Sequence, residues 1–419
     1  MGEWQIKTVE EIAAPEKSAL ATGPFGSAIG TKTFRDHGIP VIRGGNLSTS
    51  IGIRLIDNGL VYVDEELANR FKRSIARCGD LVFTCWGTTN QVGLIDDRAK
   101  FDQYVVSNKQ MKLTPNNAKT LPLFLYYFFS SPEGQRQIAN QTIGSSVPGF
   151  NLTGLKSIIL PVPTISEQLE IINILGALDD KIDLNHRMNE TLEAMAQAIF
   201  KDWFIDFGPV RAKAEGCPPY LAPDIWALFP DALDDNDKPM GWKEKRIDDI
   251  LELAYGKALK SNDRLDGSFP VYGSGGITGY HALALVEGPS IIVGRKGTVG
   301  SLYWEDGPFF PIDTVFYVKP KVPLTFCFYL LQTLGLDEMN TDAAVPGLNR
   351  NNVYRLPVSW SQESVREAFD GIAKLLRQKM RKNTEESQTL SQLRDLLLPK
   401  LMSGEICLRD AEKIIEKIA

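Results

Sequence analysis

The stretch Val147-Pro148-Gly149-Phe150-Asn151 recurs 198 residues later as Val345-Pro346-Gly347-Leu348-Asn349. Each copy is followed by a short apolar run with a proline, at residues 159–162 and 355–358, and then by a long segment with a helical apolar pattern. Upstream, the segment from Gly2 to Ile12 is echoed by the segment from Met240 to Ile250. The chain is therefore one unit written twice, and a duplicated chain can fold with approximate two-fold symmetry.

Each half begins with β-like runs separated by glycines and continues into a short apolar helix, predicted at Leu123–Phe129 in the first half and at Phe326–Leu334 in the second. The pattern predicts an α+β fold. We expect two pseudo-symmetric α/β domains with mainly mixed or antiparallel sheets, separated by two long coiled-coil helices.

The long helices have a start signal and a seven-residue repeat. Thr164-x-x-Glu167 and Ser359-x-x-Gln362 both match a capping box. A repeat sustained over four heptads is typical of supercoiled helix packing, whereas the alternative is two ordinary amphipathic helices on separate cores. The predicted helix-spacer core residues are Ile171, Leu178, Asn185, Leu192, Ile199, Phe369, Leu376, Asn383, Leu390 and Leu397.

Asparagine occupies the same slot of both repeats, at Asn185 and Asn383. We expect the two residues to lie near the middle of the helices, where they could meet or share a water. Buried asparagine in an apolar seam fixes the register of the helices at some cost in stability.

Domain boundaries follow from these signals and from composition. Residues 208–240 have the prolines and the acidic run of a linker, and we predict that they do not pack as a domain. The predicted segments are a first globular domain at 1–163, a first long helix at 164–207, the linker at 208–240, a second globular domain at 241–358, a second long helix at 359–404 and a tail at 405–419.

Composition narrows the class of protein. The chain has 43% hydrophobic residues, no membrane-length apolar run and no signal peptide. Its five cysteines form no Cys-x-x-Cys pair, and with three histidines a zinc site is not expected, so we predict a reduced, cytoplasmic setting. The net charge is −6, but the acidity is concentrated in residues 166–240, which leaves both globular domains free to present basic loops.

Motifs for catalysis are weak. Cys217-Pro218-Pro219-Tyr220 resembles the Asn-Pro-Pro-Tyr box of amino-methyltransferases, but cysteine replaces asparagine and no cofactor loop precedes it. Gly273–Gly279 has the glycines of a dinucleotide loop without the strand and helix that such a loop needs, so we predict a flexible surface loop. The sequence contains no phosphate-binding Gly-x-x-x-x-Gly-Lys-Ser/Thr motif.

Both globular domains do carry glycine-hinged loops with polar and basic residues. Thr84–Gln91 precedes Val92-Gly93 as Gly294–Thr298 precedes Val299-Gly300. Such side chains read base edges and hold phosphates, although hairpin tips of the same composition are as common. The predicted DNA-binding residues are Arg43, Asn46, Trp86, Thr88, Asn90, Gln91, Lys257, Ser274, Arg295, Lys296 and Thr298.

Taken in order, several motifs within this duplicated frame resemble the DNA specificity subunits of type I restriction–modification systems. The resemblance covers nearly the whole chain. The motifs that carry it are Thr22-Gly23-Pro24-Phe25-Gly26-Ser27, Gly38-Ile39-Pro40-Val41-Ile42-Arg43, Leu228-Phe229-Pro230-Asp231, Pro270-Val271-Tyr272-Gly273-Ser274-Gly275-Gly276, Ile291-Ile292-Val293-Gly294-Arg295-Lys296-Gly297 and Leu397-Leu398-Pro399-Lys400-Leu401-Met402-Ser403-Gly404-Glu405-Ile406.

The resemblance implies two target-recognition domains, each reading one half of a split sequence in double-stranded DNA. It implies that the two long helices run antiparallel as a coiled coil, space these target-recognition domains and dock two modification (methyltransferase) subunits. Restriction/translocase subunits would join the complex. The chain would have no catalysis, no cofactor, no metal and no membrane partner, because S-adenosylmethionine, ATP and Mg2+ belong to the partner subunits. Two alternatives remain: a self-contained methyltransferase-type enzyme, or a coiled-coil adaptor that does not bind DNA.

Overall fold

The computed structural model describes residues 4–26, 28–144, 148–340, 347–407, 409–411 and 413–414. The chain divides into two compact units. Unit 1 joins Met1–His186 to Thr384–Ala419, and unit 2 is the continuous stretch Arg187–Asn383. Each unit thus contains one globular domain and one half of each long helix.

Unit 1 has an α+β domain. Its strands are β1 (Gln5–Thr8), β2 (Leu20–Thr22), β3 (Ile39–Ile42), β4 (Val61–Val63), β5 (Ile75–Arg77), β6 (Leu81–Thr84), β7 (Val92–Leu94), β8 (Gln103–Val106), β9 (Gln110–Leu113) and β10 (Ile159–Val162). Its helices are α1 (Val9–Ile12), α2 (Glu65–Arg70), α3 (Pro122–Ser130), α4 (Pro132–Asn140) and α5 (Leu152–Ser157), followed by the long helix α6 (Ile165–Phe204).

Unit 2 has a matching set of elements. Its strands are β11 (Lys243–Arg246), β12 (Leu251–Tyr255), β13 (Phe269–Gly273), β14 (Gly276–His281), β15 (Ser290–Gly294), β16 (Leu302–Glu305), β17 (Phe310–Pro311), β18 (Val315–Pro320) and β19 (Pro357–Trp360). Its helices are α7 (Gly208–Ala214), α8 (Pro223–Trp226), α9 (Ile247–Ile250), α10 (Leu324–Gln332) and α11 (Arg350–Tyr354), followed by the long helix α12 (Glu363–Met402).

The sheets repeat from one unit to the other. The antiparallel order β2-β9-β6-β7 in unit 1 corresponds to β12-β18-β15-β16 in unit 2. A second sheet contains one parallel pair in each unit, β3 with β8 and β13 with β17. The first and last strands of each domain also pair, β1 with β10 and β11 with β19. The predicted α+β class and the duplication are confirmed.

The long helices pack antiparallel within each unit. In unit 1, Asp179 contacts Arg394 at 2.8 Å and Lys181 contacts Glu386 at 3.2 Å. Residues later in α6 therefore contact residues earlier in α12, which shows the antiparallel direction. The aromatic core of unit 2 is built around Phe369, whose ring centroid lies 5.3 Å from that of Phe200 on α6. The heptad residues of both helices are buried or half-buried, as the seven-residue repeat predicts.

The two asparagines of the repeat occupy equivalent places. Asn185 is 0% exposed, and its Nδ2 donates to Ser387 Oγ at 3.3 Å and to Glu386 Oε2 at 2.9 Å. Asn383 is 1% exposed, and its Nδ2 donates to Asn189 Oδ1 at 2.9 Å. Ser387 lies 198 residues after Asn189, as Asn383 does after Asn185. Each asparagine therefore bonds to the symmetry-equivalent polar residue of the facing helix.

Two predictions about boundaries need correction. Ser359 does not cap the second long helix, because it lies in β19 opposite Glu244, and α12 begins only at Glu363. The segment 208–240, predicted not to pack, is partly folded. It forms α7 and α8, and Val210 and Phe229 are 0% and 3% exposed in the core of unit 2, because apolar residues are spaced between its prolines.

The capping box at the start of α6 is formed. Glu167 N donates to Thr164 Oγ1 at 3.3 Å, and Thr164 N donates to Glu167 Oε2 at 2.9 Å. The backbone and hydroxyl hydrogen bonds from Thr164 lower the pKa of Glu167. A lowered carboxyl pKa stabilises the fold above the unfolded pKa of about 4.3 and loses that effect as pH falls through the folded pKa.

We expect Thr164→Ala to lower the free energy of unfolding by about 0.5–2 kcal/mol at neutral pH, because a helix N-terminus loses its cap. Urea denaturation at a series of pH values would measure this difference. It should shrink at acid pH, where Glu167 is protonated in both proteins. Thr164→Ser, which keeps the hydroxyl, is the control and should behave like the parent chain.

Among the described residues, no helix combines the length and apolar character needed to span a membrane.

Candidate nucleic-acid interface

Residues 84–91 form loop 1 and residues 294–301 form loop 2, and these loops have the same backbone conformation. Thr84 N donates to Gln91 O at 3.3 Å, as Gly294 N donates to Ser301 O at 2.7 Å. Gly87 and Gly297 have φ of 91° and 84°, a left-handed conformation that glycine adopts without strain. The predicted alignment of Val92-Gly93 with Val299-Gly300 is therefore three residues out of register, because these backbone bonds relate the loops by an offset of 210.

The repeated motif that opens the sequence supports these loops. Phe150 N donates to Cys85 O at 2.8 Å, and Leu348 N donates to Arg295 O at 2.8 Å. A Cβ atom on Gly149 would lie 2.6 Å from the ring of Trp86, so only glycine lets that ring pack on the backbone. Val147, Val345 and Pro346 lie outside the described residues.

Loop 1 borders a cleft of about 610 Å³ in unit 1. Arg43, Trp86, Thr88 and Gln91 from the predicted set line it together. The structure adds Ser107, Asn108 and Lys109 from the turn between β8 and β9, and Gln110 from the first position of β9. Sequence reasoning missed them because this turn has no glycine signal. Trp86 is 53% exposed at the edge of the cleft, and Asn90 is exposed in the same loop.

The guanidinium of Arg43 is held in the cleft wall. Its Nη2 donates to Gly59 O at 3.1 Å, and its guanidinium carbon lies 5.7 Å from the ring centroid of Phe34. Asn46 is only 2% exposed, and its Nδ2 donates to Ile56 O at 2.9 Å. Gln91 Nε2 donates to Leu47 O at 2.9 Å. Asn46 and Gln91 therefore hold the loops in place, and Asn46 does not present its side chain at the surface.

Gln110 lies fully buried beside the cleft. Its Oε1 accepts a hydrogen bond from Ser107 Oγ, while its Nε2 has no partner within the part of the chain that the structure describes. A Cβ on Gly44 would lie 3.7 Å from this Nε2. A buried donor without a partner is costly, so this corner of the cleft favours an acceptor.

In unit 2 the predicted residues divide between surface and interior. Lys257, Lys296 and Thr298 are exposed. Ser274 is 9% exposed, its hydroxyl donates to Lys296 O, and its carbonyl accepts from Ser301 Oγ at 2.6 Å. Ser274 therefore closes loop 2 instead of facing solvent, and Arg295 is half-buried beside it.

The surroundings of the Cys85 thiol and of the Cys217–Tyr220 motif bear on possible catalysis. Burial raises the pKa of the Cys85 thiol in loop 1 to about 12, so the thiol is neutral. No cluster of His, Cys, Asp and Glu within the described ranges could hold a metal ion. Tyr220 of the Cys217–Tyr220 motif donates to Asp202 Oδ2 at 2.9 Å. Gly273–Gly279, predicted as a flexible loop, is the β13–β14 hairpin, because its residues pair across the turn.

Comparison with protein families identifies the fold. The family described as type I restriction modification DNA specificity domain matches residues 1–194 and 239–353. The chain belongs to this type I DNA specificity family. The resemblance stated from the sequence motifs is thereby confirmed.

Relatives in the type I specificity family align over most of the chain. The type I restriction enzyme HindI specificity subunit of Haemophilus influenzae is 26% identical, over 82% of this chain and 89% of the relative. The MjaIX specificity subunit of Methanocaldococcus jannaschii is 22% identical, over 96% of this chain and 94% of the relative. The crystal structure of a type I S subunit from M. genitalium has the same fold, with a TM-score of 0.55, 19% identity and coverage of 95% and 96% of the two chains.

Proposed function

We propose that this chain is a non-catalytic specificity subunit that recognises a bipartite DNA target and directs methyltransferase and restriction subunits to it. The observation that supports this best is the pair of equivalent loops. Loop 1 and loop 2 share their backbone hydrogen bonds, but where loop 1 exposes Trp86 and Asn90, loop 2 carries Lys296 and Gly300. Two loops with the same backbone and different side chains can recognise two different half-sites, separated by unspecified bases.

The long helices supply surfaces for partner subunits. Leu169, Leu184 and Met195 of α6 are 47%, 43% and 47% exposed, and Leu375 of α12 is 67% exposed. These side chains are spread along the helices, so they offer apolar contact points at several positions for the partner subunits in this proposal. S-adenosylmethionine, ATP and Mg2+ belong to the partner subunits in this proposal, and the chain itself contributes binding and positioning.

The experiment is to express the chain with its methyltransferase subunit and to map methylated adenines genome-wide. We expect one asymmetric motif with two short half-sites and a gap of unspecified bases. The purified chain alone should methylate nothing. Methylation by the chain alone would support the self-contained enzyme, and an assembled complex without DNA affinity would support the coiled-coil adaptor.

We expect loop 2 to contact the bases or phosphates of only one half-site. We expect Arg295→Ala with Lys296→Ala to weaken DNA binding by roughly 1–3 kcal/mol per lost contact and to leave the half-site of unit 1 unchanged. Binding of the assembled complex to a labelled duplex measures the affinity, and the methylation map shows whether the half-site of unit 1 is unchanged. The control is Lys245→Ala with Arg246→Ala, which removes two neighbouring basic residues from β11 instead of loop 2. This variant should methylate the same motif as the parent chain. Full methylation of the parent motif by the loop 2 variant would exclude loop 2 from the interface.

A further inference from the structure

Unit 2 contains two arginines beside a single exposed ring. Tyr255, at the end of β12, is 48% exposed. The guanidinium carbons of Arg295 and Arg350 lie 4.9 Å and 4.8 Å from the centroid of its ring. Among the described residues, no carboxylate lies within ion-pair distance of either guanidinium. Arg295 also lies 5.8 Å from the ring centroid of Phe316, and Arg350 lies 5.6 Å from that of Tyr354. Two guanidiniums near one exposed ring without a carboxylate partner make this part of unit 2 attractive to an anion.

Backbone contacts place both arginines. Leu348 N donates to Arg295 O at 2.8 Å, which brings the start of α11 to loop 2. Arg350 Nη1 donates to Leu253 O at 3.3 Å, and Arg295 Nη1 donates to Asp313 O at 3.0 Å. These bonds leave most of the guanidinium donors uncommitted, and Nε of Arg350 is buried without a partner in the described part of unit 2. The two groups are therefore positioned before any ligand binds.

The same place in unit 1 has neutral residues. Gly23 N donates to Gln110 O at 3.0 Å as Gly256 N donates to Val315 O at 3.2 Å, so Thr22 corresponds to Tyr255. The loop equivalence pairs Cys85 with Arg295, and the repeated motif pairs Leu152 with Arg350. The shared frame does not need two guanidiniums here, so their presence in unit 2 reflects a separate role.

We propose that Arg295, Arg350 and Tyr255 form a site for one phosphate group of the DNA backbone, specific to the second domain. This inference rests on the proposed function. A phosphodiester offers two non-bridging oxygens, and each can accept charge-assisted hydrogen bonds from one guanidinium fork. The ring of Tyr255 lies within 5 Å of both guanidinium carbons. Arg350 and Tyr255 were not among the predicted DNA-binding residues, since only folding brings them beside Arg295.

The test uses the complex of the full chain with its methyltransferase subunit and a duplex carrying the mapped target. We expect Arg350→Ala to weaken binding roughly tenfold at fixed salt, because a hydrogen-bonded charge contact is lost. The slope of log affinity against log salt should fall by about one unit, and the methylated motif should stay the same. Arg350→Lys keeps the charge and should retain the slope.

Arg355→Ala is the matched control, because it removes an exposed arginine just after α11 that is not among the cations beside Tyr255. An unchanged affinity and slope in Arg350→Ala would overturn the proposal. Relaxation of one base in the second half-site would also overturn it, by showing a base contact instead. Thermal unfolding shows whether each variant is folded. If Arg350→Ala is unfolded, Arg350→Gln, which keeps most of the side-chain length, takes its place. Absence of DNA binding by the parent complex would instead reject the proposed function.

Discussion

Replacing Asp179 by asparagine is expected to lower the free energy of unfolding of unit 1 by about 1.5–3 kcal/mol, because it weakens buried charge-assisted hydrogen bonds, although Arg54 keeps Asp96 and Arg394 keeps Asp395 as counter-ions. Asp179 is 2% exposed, and its carboxylate lies 2.8 Å from Arg394 Nη1 and 3.9 Å from Arg54 Nη2. It also accepts a hydrogen bond from Tyr127 Oη at 2.7 Å. Urea denaturation of the purified chain would measure the loss.

Asp395→Asn is the control for this variant. Asp395 pairs with the same arginine at 2.8 Å, but its side chain is 54% exposed. An exposed ion pair is worth less than about 1 kcal/mol, so this variant should be nearly as stable as the parent. Equal losses of unfolding free energy in the two variants would show that the burial of Asp179 does not determine its contribution to stability.

The double variant Arg43→Ala with Trp86→Ala should have the largest effect on DNA binding. Both residues line the 610 Å³ cleft, where Trp86 is the exposed ring and Arg43 is one of two cations, the other being Lys109. An arginine contact and an aromatic stack are each worth about 1–3 kcal/mol, so we expect affinity for the mapped target to fall roughly a hundredfold or more. Fluorescence anisotropy of the assembled complex on labelled duplex would measure the change.

Arg136→Ala with Trp226→Ala removes the same two side chains from places outside the cleft, and this control should bind DNA normally. Arg136 pairs with Glu133 on α4, and Trp226 ends α8. Trp86→Phe keeps an aromatic ring over Gly149 and should recover part of the affinity. If the cleft variant and the control bind DNA with equal affinity, the DNA contact of unit 1 lies outside the cleft.

Sequence periodicity predicted the parts of the fold that depend on local pattern. The strand at Ile39–Ile42, the apolar helix now seen at Pro122–Ser130 and the capping box of Thr164 all follow from residues near one another in the chain. The seven-residue repeat also predicted which residues of α6 and α12 face inwards, because burial along a helix follows its period.

Predictions from sequence failed where a residue's environment depends on residues that are distant in the chain. Ser359 matched a capping box, yet its pairing with Glu244 on β11 keeps it in a strand. Asn46 and Ser274 looked like surface ligands, but each bonds to carbonyls that come from other loops. Gln110 and Arg350 gave no signal, since their importance depends on neighbours that are distant in sequence.

Unit 1 is discontinuous in the chain, and this determines the order in which the two cores can be completed. Its core needs Leu397 and Leu401 of α12, which are synthesised after the whole of unit 2. At about 5–20 residues per second, the roughly 200 intervening residues take about 10–40 s to emerge. During that interval the apolar face of Ile171 and Leu178 has no helix to cover it, so nascent chains are exposed to chaperones and proteases. A premature stop after Asn383, in the second half of α12, would spare the core of unit 2 and leave that of unit 1 open.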